Sequence, residues 1–336
     1  MFKPINNRKI RLGIVGCGRI SQKHLEAING FPDDFELVAL CDTDQDVLIS
    51  VRTNLGVATY QDIQEMLDTQ ELDAVVLSTP SGLHAEQAIA AARKGVNVIS
   101  EKPMATRFED GLKMVRVCDQ NNVRLFVVKQ NRKNATLQLL KRAIDEERFG
   151  DIKVVHVNVF WQRPQEYYDQ GGGWRGTWEF DGGAFMNQAS HYVDLLSWLV
   201  GPVEKVHSML STTRKIEAED TGVVNIKWRN GALGSMAVTM LAYPQNIEGS
   251  ITILGDTGSV KVGGVAVNEI VKWEFADTRD YDQLIADASY DTTSVYGYGH
   301  SSYYEQVINT LRGVECPEVD GREGLKSLEL LNLEST

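Results

Sequence analysis

The feature that most constrains the fold is the alternation of short apolar runs with segments of helical spacing, which continues to residue 129. The predicted strands are residues 9–18, 35–42, 73–80, 97–103 and 123–129. The predicted helices between them are residues 19–30, 44–55, 83–94 and 106–121. Strands that are apolar on both faces and alternate with helices indicate a parallel sheet covered on both sides, hence an α/β fold.

The turn after the first predicted strand reads Gly16-Cys17-Gly18-Arg19-Ile20-Ser21. It departs from the pattern G-x-G-x-x-G at the third position, where a small serine replaces the glycine that allows close helix packing. Such a motif alone also matches ordinary glycine turns, but here it lies between a predicted strand and a predicted helix. Gly16 and Gly18 would let the backbone approach a pyrophosphate, which the amides at the start of the helix would bind.

Asp42 ends the second predicted strand and favours NAD as the cofactor. Its carboxylate can accept hydrogen bonds from both hydroxyls of the adenine ribose. Its charge, together with that of Asp44, would oppose the 2′-phosphate of NADP. The alternative role for Asp42 is a helix N-cap, which Thr43 or Asp44 could supply instead.

Two further strand ends are expected at the same edge of the sheet. Ser78-Thr79-Pro80 leads into a helix whose first turn holds His84, and Glu101-Lys102-Pro103 closes the next strand. Taken singly, Lys102 reads as a solvated lysine and His84 as a capping or surface histidine. In open α/β sheets, however, ligands bind outside the carboxyl ends of the strands. The candidate cofactor-binding residues are Gly16, Gly18, Arg19, Ile20, Asp42, Ser78, Thr79, Pro80, His84, Glu101 and Lys102.

These segments, with a G-G…H-x-x-D-L helix beginning at Gly182, resemble the Gfo/Idh/MocA oxidoreductase family. The resemblance covers essentially the whole chain. It implies a Rossmann dinucleotide-binding domain over residues 1–128 and a substrate-binding domain over residues 129–336. The second domain would be α+β with a large open, mainly antiparallel sheet that commonly forms oligomer contacts, so a homo-oligomer (dimer or tetramer) is expected. A cis peptide is expected before Pro103, as in many family members.

The second half agrees with that outline. Apolar runs that partly alternate with polar residues and are joined by glycine turns predict strands at residues 154–161, 203–210, 222–228, 231–240, 249–256 and 258–264. A helix is predicted from near Asn187 to the Gly201-Pro202 stop, and two helices over residues 303–313 and 322–332 close the chain. Few helices separate these strands, which favours antiparallel pairing.

His191 and Asn187 are predicted one turn apart on one face of that helix. A histidine on an apolar helix is more often a core residue, but the resemblance assigns His191 to the active site. Many family members carry an aspartate where Asn187 stands, and an amide cannot take a proton. That leaves His191 and Lys102 as the candidate catalytic residues. The imidazole would act as the base, and the ammonium would stabilise the oxyanion that develops as an alcohol loses hydride and could share the proton if burial lowers its pKa.

The detailed sequence over residues 159–196 is similar to the branch of the family that oxidises the 3′-hydroxyl of UDP-N-acetyl-glucosaminuronic acid. In that branch an aminotransferase uses the 3-keto product on the way to surface-polysaccharide sugars. Residues 129–175 hold nine Lys or Arg and six Asp or Glu, within a chain of net charge −12, which suits an anionic nucleotide sugar. The candidate substrate-binding residues are Arg132, Arg163, Tyr168, Trp174, Arg175, Asn187, His191, His300 and Ser301.

Composition excludes several other classes of protein. The net charge of −12 argues against nucleic-acid binding. No apolar run is long enough to span a bilayer and no export signal is evident, so a cytoplasmic protein with no membrane partner is expected. Four scattered cysteines argue against a zinc site and against disulfides, and no metal is expected.

Two alternatives to the UDP-sugar substrate remain at this stage. One is an NAD-dependent dehydrogenase of another sugar or of inositol, which would not need a strongly anionic pocket. The other is a non-catalytic NAD-binding regulator, because a fold does not fix a function. The presence of both Lys102 and His191 argues against a regulator, which needs neither.

Overall fold

The protein was studied as a computed structural model that describes residues 2–170, 172–292 and 299–334. The chain forms two compact units. One contains Met1–Val128 and His300–Leu328, and the other contains Lys129–Gly299 and Glu329–Thr336. No helix within the described ranges is long and apolar enough to cross a membrane.

The first unit is built on a six-stranded sheet in the order β3-β2-β1-β4-β5-β6, and every strand pair in it is parallel. The strands are β1 (Ile10–Val15), β2 (Phe35–Cys41), β3 (Ala58–Tyr60), β4 (Ala74–Leu77), β5 (Asn97–Ser100) and β6 (Leu125–Val127). The helices between them are α1 (Ser21–Asn29), α2 (Gln45–Leu55), α3 (Ile63–Thr69), α4 (His84–Arg93) and α5 (Phe108–Gln120). β4 and β5 are buried along their whole length, as continuous apolar runs require, and the predicted parallel sheet is confirmed.

The second unit is built on a seven-stranded sheet in the order β13-β12-β11-β7-β10-β9-β8. The strands are β7 (Ile152–Phe160), β8 (Val203–Ser211), β9 (Thr221–Trp228), β10 (Leu233–Thr239), β11 (Glu248–Gly255), β12 (Gly258–Gly263) and β13 (Glu269–Phe275). The helices are α6 (Ala135–Asp145), α7 (Gln165–Asp169), α8 (Ser190–Val200) and α9 (Ile285–Ala288). All pairs are antiparallel except β7 with β10, so the sheet is mixed and mainly antiparallel, as predicted.

Alternating side chains divide this sheet into a buried face and an exposed face. In β9, Val224, Ile226 and Trp228 are buried, while Val223 and the other intervening residues face solvent. Such alternation is typical of an antiparallel sheet with one solvated side. The exposed face nevertheless carries several large apolar side chains.

The segment before α8 differs from the continuous helix predicted from near Asn187. Residues Ala184–Gln188 form a π-helical turn, and α8 begins only at Ser190. The Ala189 N–H donates to the carbonyl of Ala184, five residues back, at 2.8 Å. Asn187 therefore lies on a wide turn and His191 lies in α8 itself. π-turns of this kind occur frequently at functional sites.

The last helices revise the expected domain boundary. α10 (His300–Leu311) is part of the first unit, and α11 (Gly321–Glu334) begins there. Buried side chains of α10, including Tyr303, Tyr304 and Val307, belong to the apolar core that contains β1. All of residues 129–336 were predicted to form one domain, whereas apolar packing places residues 300–328 in the first unit.

Candidate active site

The glycine turn after β1 has the backbone geometry that a dinucleotide site needs. Gly16 has φ +87°, and a Cβ atom there would lie 2.7 Å from the carbonyl carbon of Ser78 and 2.8 Å from the nitrogen of Thr79. A Cβ atom at Gly18 would meet no described atom within 4 Å. Position 16 therefore needs a glycine, because any side chain there would clash with the protein's own backbone. Position 18 instead borders open space, next to exposed Arg19 and half-buried Ile20.

Ser21, which replaces the third glycine of the motif, is buried and donates through Oγ to the carbonyl of Gly18 at 2.6 Å. Asp42 is tied to the same turn. Its Oδ2 accepts from the Cys17 N–H at 2.7 Å, and its Oδ1 accepts from the Asp44 N–H at 2.9 Å. These residues fit a dinucleotide, because the turn is open at Gly18 and a fixed carboxylate stands beside it.

Asp44 rather than Asp42 caps the following helix. Asp44 Oδ1 accepts from the backbone N–H groups of Asp46 at 2.9 Å and Val47 at 3.4 Å, at the start of α2. The alternative role of Asp42 as an N-cap is therefore not needed.

His84 joins the two other segments that were predicted at this edge. Its Nε2 lies 2.9 Å from the carbonyl oxygen of Thr79, and its Nδ1 lies 3.0 Å from that of Pro103. Burial lowers the pKa of His84. The ring therefore holds the Ser78-Thr79-Pro80 segment and the Lys102–Pro103 peptide, which is cis as expected. We interpret His84 as a residue that positions this edge, and not as a direct cofactor ligand.

Glu101 lies in a buried polar cluster next to Lys102. Its Oε1 accepts from His24 Nε2 at 3.1 Å, its Oε2 accepts from the Lys102 N–H at 3.0 Å, and His24 Nδ1 lies 2.8 Å from the Tyr304 hydroxyl. Burial opposes ionisation of Glu101, but the hydrogen bond and charge of His24, with the Lys102 charge, lower its pKa to about 2. Glu101 is thus a fixed anion that holds the backbone of half-buried Lys102.

His300 is a member of this cluster, which the sequence did not indicate. Its ring lies 5.8 Å from the ring of His24 in an edge-to-face arrangement, and burial lowers its pKa to about 4. Both His300 and Ser301 were predicted to contact substrate. In the structure His300, the first residue of α10, is buried in the first unit, and Ser301 is exposed on the same helix.

In the second unit His191 contacts an amide that sequence reasoning missed. Gln130 Nε2 donates to His191 Nε2 at 3.1 Å, and both side chains are buried. In this orientation of the amide, Gln130 donates and His191 Nε2 is the acceptor.

Asp194, three residues after His191, forms a buried ion cluster. Arg132 donates to it through Nε at 2.7 Å and Nη2 at 2.8 Å, and Lys129 Nζ lies 3.4 Å away. Burial alone would raise the pKa of Asp194, but the charges of Lys129 and Arg132 hold it below its ordinary value. Arg132, which was predicted to bind substrate, is thus paired with Asp194 in a cluster that has two cations and one carboxylate. The H-x-x-D spacing is the sequence signal that could have found this cluster.

Asn187 contacts a carboxylate six residues earlier in the chain. Its Nδ2 donates to Asp181 Oδ1, and Asp181 Oδ2 accepts from the Gly176 N–H at 2.7 Å. Asp181 is 3% exposed, whereas Asn187 is half-buried. The side chain of Asn187, which was predicted to bind substrate, is thus held by Asp181, which was not among the predicted site residues.

The predicted aromatic and cationic residues of the second unit form one surface around Tyr167. The Arg163 guanidinium lies 5.5 Å and the Arg175 guanidinium 4.8 Å from the centre of its ring. Arg175 also lies 5.0 Å from the Trp174 ring. A cavity of about 570 Å³ adjoins this surface and is lined by Tyr168, Asp169, Gly173, Arg175, Lys215 and other residues. Cations beside aromatic rings suit a ligand with both anionic and planar groups.

Two family models match the chain. The model described as "Oxidoreductase family, NAD-binding Rossmann fold" matches residues 10–129, and "Oxidoreductase family, C-terminal alpha/beta domain" matches residues 141–333. The chain belongs to the Gfo/Idh/MocA oxidoreductase family. This confirms the resemblance seen in the sequence and the NAD-binding assignment of the first unit.

Solved structures of this family are similar to the chain over its whole length. The WlbA dehydrogenase of Bordetella pertussis, in complex with NADH and UDP-GlcNAcA, is 60% identical with a TM-score of 0.96, and the match covers 99% of this chain and 96% of that one. The WlbA dehydrogenase of Chromobacterium violaceum, with the same two ligands, is 58% identical with a TM-score of 0.95, and the match covers 100% of this chain and 95% of that one. The myo-inositol 2-dehydrogenase of Thermotoga maritima is 26% identical over 96% of this chain and 94% of that protein.

Proposed function

We propose that the protein is an NAD-dependent dehydrogenase that oxidises the 3′-hydroxyl of UDP-N-acetyl-glucosaminuronic acid (UDP-GlcNAcA) to the 3-keto sugar. The observation that carries the proposal is the 60% identity, over nearly the full length of both chains, to a dehydrogenase crystallised with NADH and UDP-GlcNAcA. The inositol and levoglucosan dehydrogenases among the relatives are 26% and 25% identical, which makes their substrates weaker candidates.

In this proposal Gly16, Gly18 and Asp42 bind the dinucleotide, with the backbone amides of Arg19 and Ile20 at its phosphates. The open space at Gly18 and the fixed carboxylate of Asp42 support this assignment. NAD, when bound, accepts the hydride. The negative charge of Asp42 favours NAD over NADP because it would repel a 2′-phosphate.

His191 is proposed as the base that takes the proton of the substrate hydroxyl. Its Nε2 lies 3.1 Å from the Gln130 amide nitrogen, and a substrate hydroxyl that donates to Nε2 would replace this amide. The Asp194–Arg132 pair lies three residues further along α8 and fixes that part of the helix. Lys102 supplies a cation to stabilise the developing oxyanion, and buried Glu101 holds its backbone.

Arg163 and Arg175 are proposed to bind the anionic groups of UDP-GlcNAcA, with Tyr168 and Trp174 against its rings. Support comes from the position of both guanidiniums against Tyr167 and from the adjoining cavity of about 570 Å³. A diphosphate and a carboxylate together would give the ligand a charge that these cations can compensate.

The test is turnover of a substrate panel by the purified protein. UDP-GlcNAcA, UDP-GlcNAc, which lacks the carboxylate, and myo-inositol are each incubated with NAD or NADP. We expect oxidation of UDP-GlcNAcA with NAD, seen as NADH absorbance and, by mass spectrometry, as a product lighter by two hydrogens. Oxidation of myo-inositol but not of either nucleotide sugar would overturn the substrate assignment. Binding of NAD without oxidation of any of them would favour a regulator.

The catalytic roles have their own controls. We expect His191→Asn and Lys102→Met to lower kcat by about 100-fold or more, the range of general acid–base catalysis, while NAD still binds. His207→Asn, at an exposed histidine of β8, is the matched control and should leave kcat unchanged. Full activity of His191→Asn would exclude His191 as the base.

We further propose that the product feeds an aminotransferase in the synthesis of surface-polysaccharide sugars and that the protein acts in the cytoplasm. A 3-keto sugar has the carbonyl group that an aminotransferase needs. NAD and nucleotide sugars are cytoplasmic metabolites, which supports that location. Detection of a 3-amino sugar after addition of an aminotransferase with an amino donor would test the pathway step.

We also propose that the protein is a homo-oligomer that associates through the exposed face of the second sheet. Leu233 of β10, Val154 of β7 and Leu254 of β11 are paired in register across three neighbouring strands, and all three are exposed. A contiguous row of exposed apolar side chains is typical of a protein–protein contact.

A further inference from the structure

We infer that Gln188 is a positioning residue that makes the proposed sugar site selective for anions, because its neutral amide holds the Arg163 guanidinium in place without compensating its charge. The inference rests on the proposed function and deepens it, since it concerns how the same site recognises the charge of UDP-GlcNAcA. The ligand class that it assigns to Arg163 is an anionic group of that sugar, either the diphosphate or the carboxylate.

The side chain of Gln188 bridges Arg163 and Tyr167. Arg163 Nε donates to Gln188 Oε1 at 2.9 Å, and Gln188 Nε2 donates to the Tyr167 hydroxyl at 3.0 Å. A guanidinium can only donate, so it must face the oxygen of the amide, and the amide nitrogen is then directed to Tyr167. These two hydrogen bonds fix the orientation of the amide and, through it, the Nε edge of the guanidinium.

Arg163 is held by neutral acceptors within the part of the chain that the structure describes. Besides its bond to Gln188, its Nη1 donates to the Gln162 carbonyl at 2.7 Å and to Asn246 Oδ1 at 3.4 Å. Its guanidinium also lies 5.3 Å from the centre of the Trp161 ring. None of these groups is a carboxylate, so no ion pair with a described residue compensates the positive charge of Arg163.

Arg148, in the same unit, shows the other way in which a guanidinium is held. Its Nε donates to Asp277 at 3.0 Å and its Nη1 donates to Asp282 at 2.7 Å. Carboxylates therefore both position Arg148 and compensate its charge, which leaves little attraction for an anionic ligand. A glutamate at position 188 would pair with Arg163 in the same way, whereas the glutamine there supplies the acceptor without the negative charge.

Gln188 also links this cation to the rest of the proposed substrate surface. Tyr167, whose hydroxyl accepts from the Gln188 amide, has the Arg163 guanidinium 5.5 Å and the Arg175 guanidinium 4.8 Å from its ring centre. Gln188 is the last residue of the π-turn and stands three positions before His191, the proposed base. One amide thus holds a cation and an aromatic ring just before the helix that carries the base.

The experiment changes the charge at position 188 and keeps the hydrogen-bond acceptor. Gln188→Glu retains an oxygen for Arg163 Nε but adds a carboxylate that compensates the guanidinium. We expect the affinity for UDP-GlcNAcA, measured by calorimetry, to fall by about 10- to 100-fold, the effect of losing a hydrogen bond to a charged group. KM should rise in parallel with little change in kcat, because the interaction that is lost binds substrate and transition state alike.

Gln188→Met separates this role from a merely structural one, because methionine fills a similar volume but makes neither hydrogen bond. It leaves the charge of Arg163 uncompensated, so its loss of UDP-GlcNAcA affinity should be smaller than that of Gln188→Glu. A structural role predicts the opposite order, since only Gln188→Glu keeps the acceptor. If Gln188 acts through Arg163, the double variant R163M/Q188M should bind UDP-GlcNAcA no more weakly than Arg163→Met alone.

Gln70→Glu is the matched control for the added charge. Gln70 is a half-buried glutamine of the first unit, and its Nε2 also donates to a tyrosine hydroxyl, that of Tyr60, at 2.6 Å. No described arginine donates to its amide. Gln70→Glu should therefore leave the affinity for UDP-GlcNAcA unchanged, and the affinity for NADH should be unchanged in every variant.

A second ligand identifies the anion that Arg163 binds. UDP-GlcNAc keeps the diphosphate and lacks the carboxylate. If Arg163 binds the carboxylate, Gln188→Glu should lose affinity for UDP-GlcNAcA alone; if it binds the diphosphate, the affinity for both nucleotide sugars should fall equally. Either result supports the inference, because each is a loss of anion recognition.

The outcomes separate this inference from the proposed function. If the wild type neither binds nor oxidises a nucleotide sugar, the proposed function fails and the inference fails with it. If the wild type binds UDP-GlcNAcA but Gln188→Glu keeps that affinity, or loses less of it than Gln188→Met, the inference fails and the function stands. Additive losses in R163M/Q188M would also overturn it, because Gln188 would then act independently of Arg163.

Discussion

At the scale of single residues, Glu219 is a buried acid that keeps its proton up to nearly neutral pH. Burial raises the pKa of Glu219 to about 7, and the charges of Asp181 and Asp220 act in the same direction. Its Oε1 accepts from the Phe185 N–H at 3.1 Å, and a Cβ atom at Gly183 would lie within 2 Å of its carboxyl group, so the side chain is closely held.

This pKa predicts a specific pH dependence of stability. In the unfolded chain Glu219 loses its proton near pH 4.5, whereas in the folded protein it keeps it up to about 7. Between these values the unfolded state binds fewer protons, so the free energy of unfolding falls as pH rises. Glu219→Gln removes this loss, and its stability relative to the wild type should rise between pH 5 and pH 8 by up to about 3 kcal/mol.

Chemical denaturation at a series of pH values measures that difference. Glu217→Gln, at an exposed position two residues away, is the control, and its difference from the wild type should stay constant with pH. A Glu219→Gln difference that is equally constant would contradict a raised pKa for Glu219.

At the scale of elements, the turn between β1 and α1 separates two kinds of glycine. Gly16→Ala would place Cβ 2.7 Å from backbone atoms of the strand-end segment at Ser78, at φ +87°. We expect it to cost at least about 2 kcal/mol of stability and also to weaken NAD binding. Gly18→Ala meets no described atom within 4 Å, so stability should be unchanged while NAD affinity falls at least about tenfold, because the added methyl group occupies the space of the cofactor.

Thermal melts with and without NAD distinguish the two variants. Stabilisation by NAD should be smaller for Gly18→Ala than for the wild type even though the melting temperatures without NAD agree. Equal stabilisation by NAD would mean that the dinucleotide does not approach Gly18.

The same elements show how far sequence reasoning reaches. β1 and β4 were predictable because continuous apolar runs identify strands buried on both faces. β3 was missed because it has three half-buried residues, and β13 because charged residues interrupt its apolar ones. The proximity of the glycine turn and Asp42, which the Cys17 N–H joins, was predictable because a linear motif places these residues.

Contacts between residues far apart in sequence could not be predicted from motifs or apolar patterns. His24 and Tyr304 are 280 positions apart, and apolar packing of α10 brings them together. Asp181 and Asn187 are close in sequence, yet their contact depends on a π-turn that the 3.6-residue period does not predict. The ion pair of Arg132 with Asp194, 62 positions away, was likewise not predicted.

At the scale of the whole molecule, the apolar side chains on the exposed face of the second sheet predict self-association through that face. Leu233 is the most exposed residue of the apolar row Leu254–Val154–Leu233 on that face, at 56%, and Ile49 on α2 of the first unit is also 56% exposed. Leu233→Lys should therefore reduce the oligomer to a smaller species in sedimentation equilibrium, because a buried unpaired charge opposes the contact. Ile49→Lys makes the same chemical change at equal exposure and should leave the mass unchanged. If both variants keep the wild-type mass, the sheet face is not the contact; if the wild type is itself a monomer, the proposed oligomer does not exist.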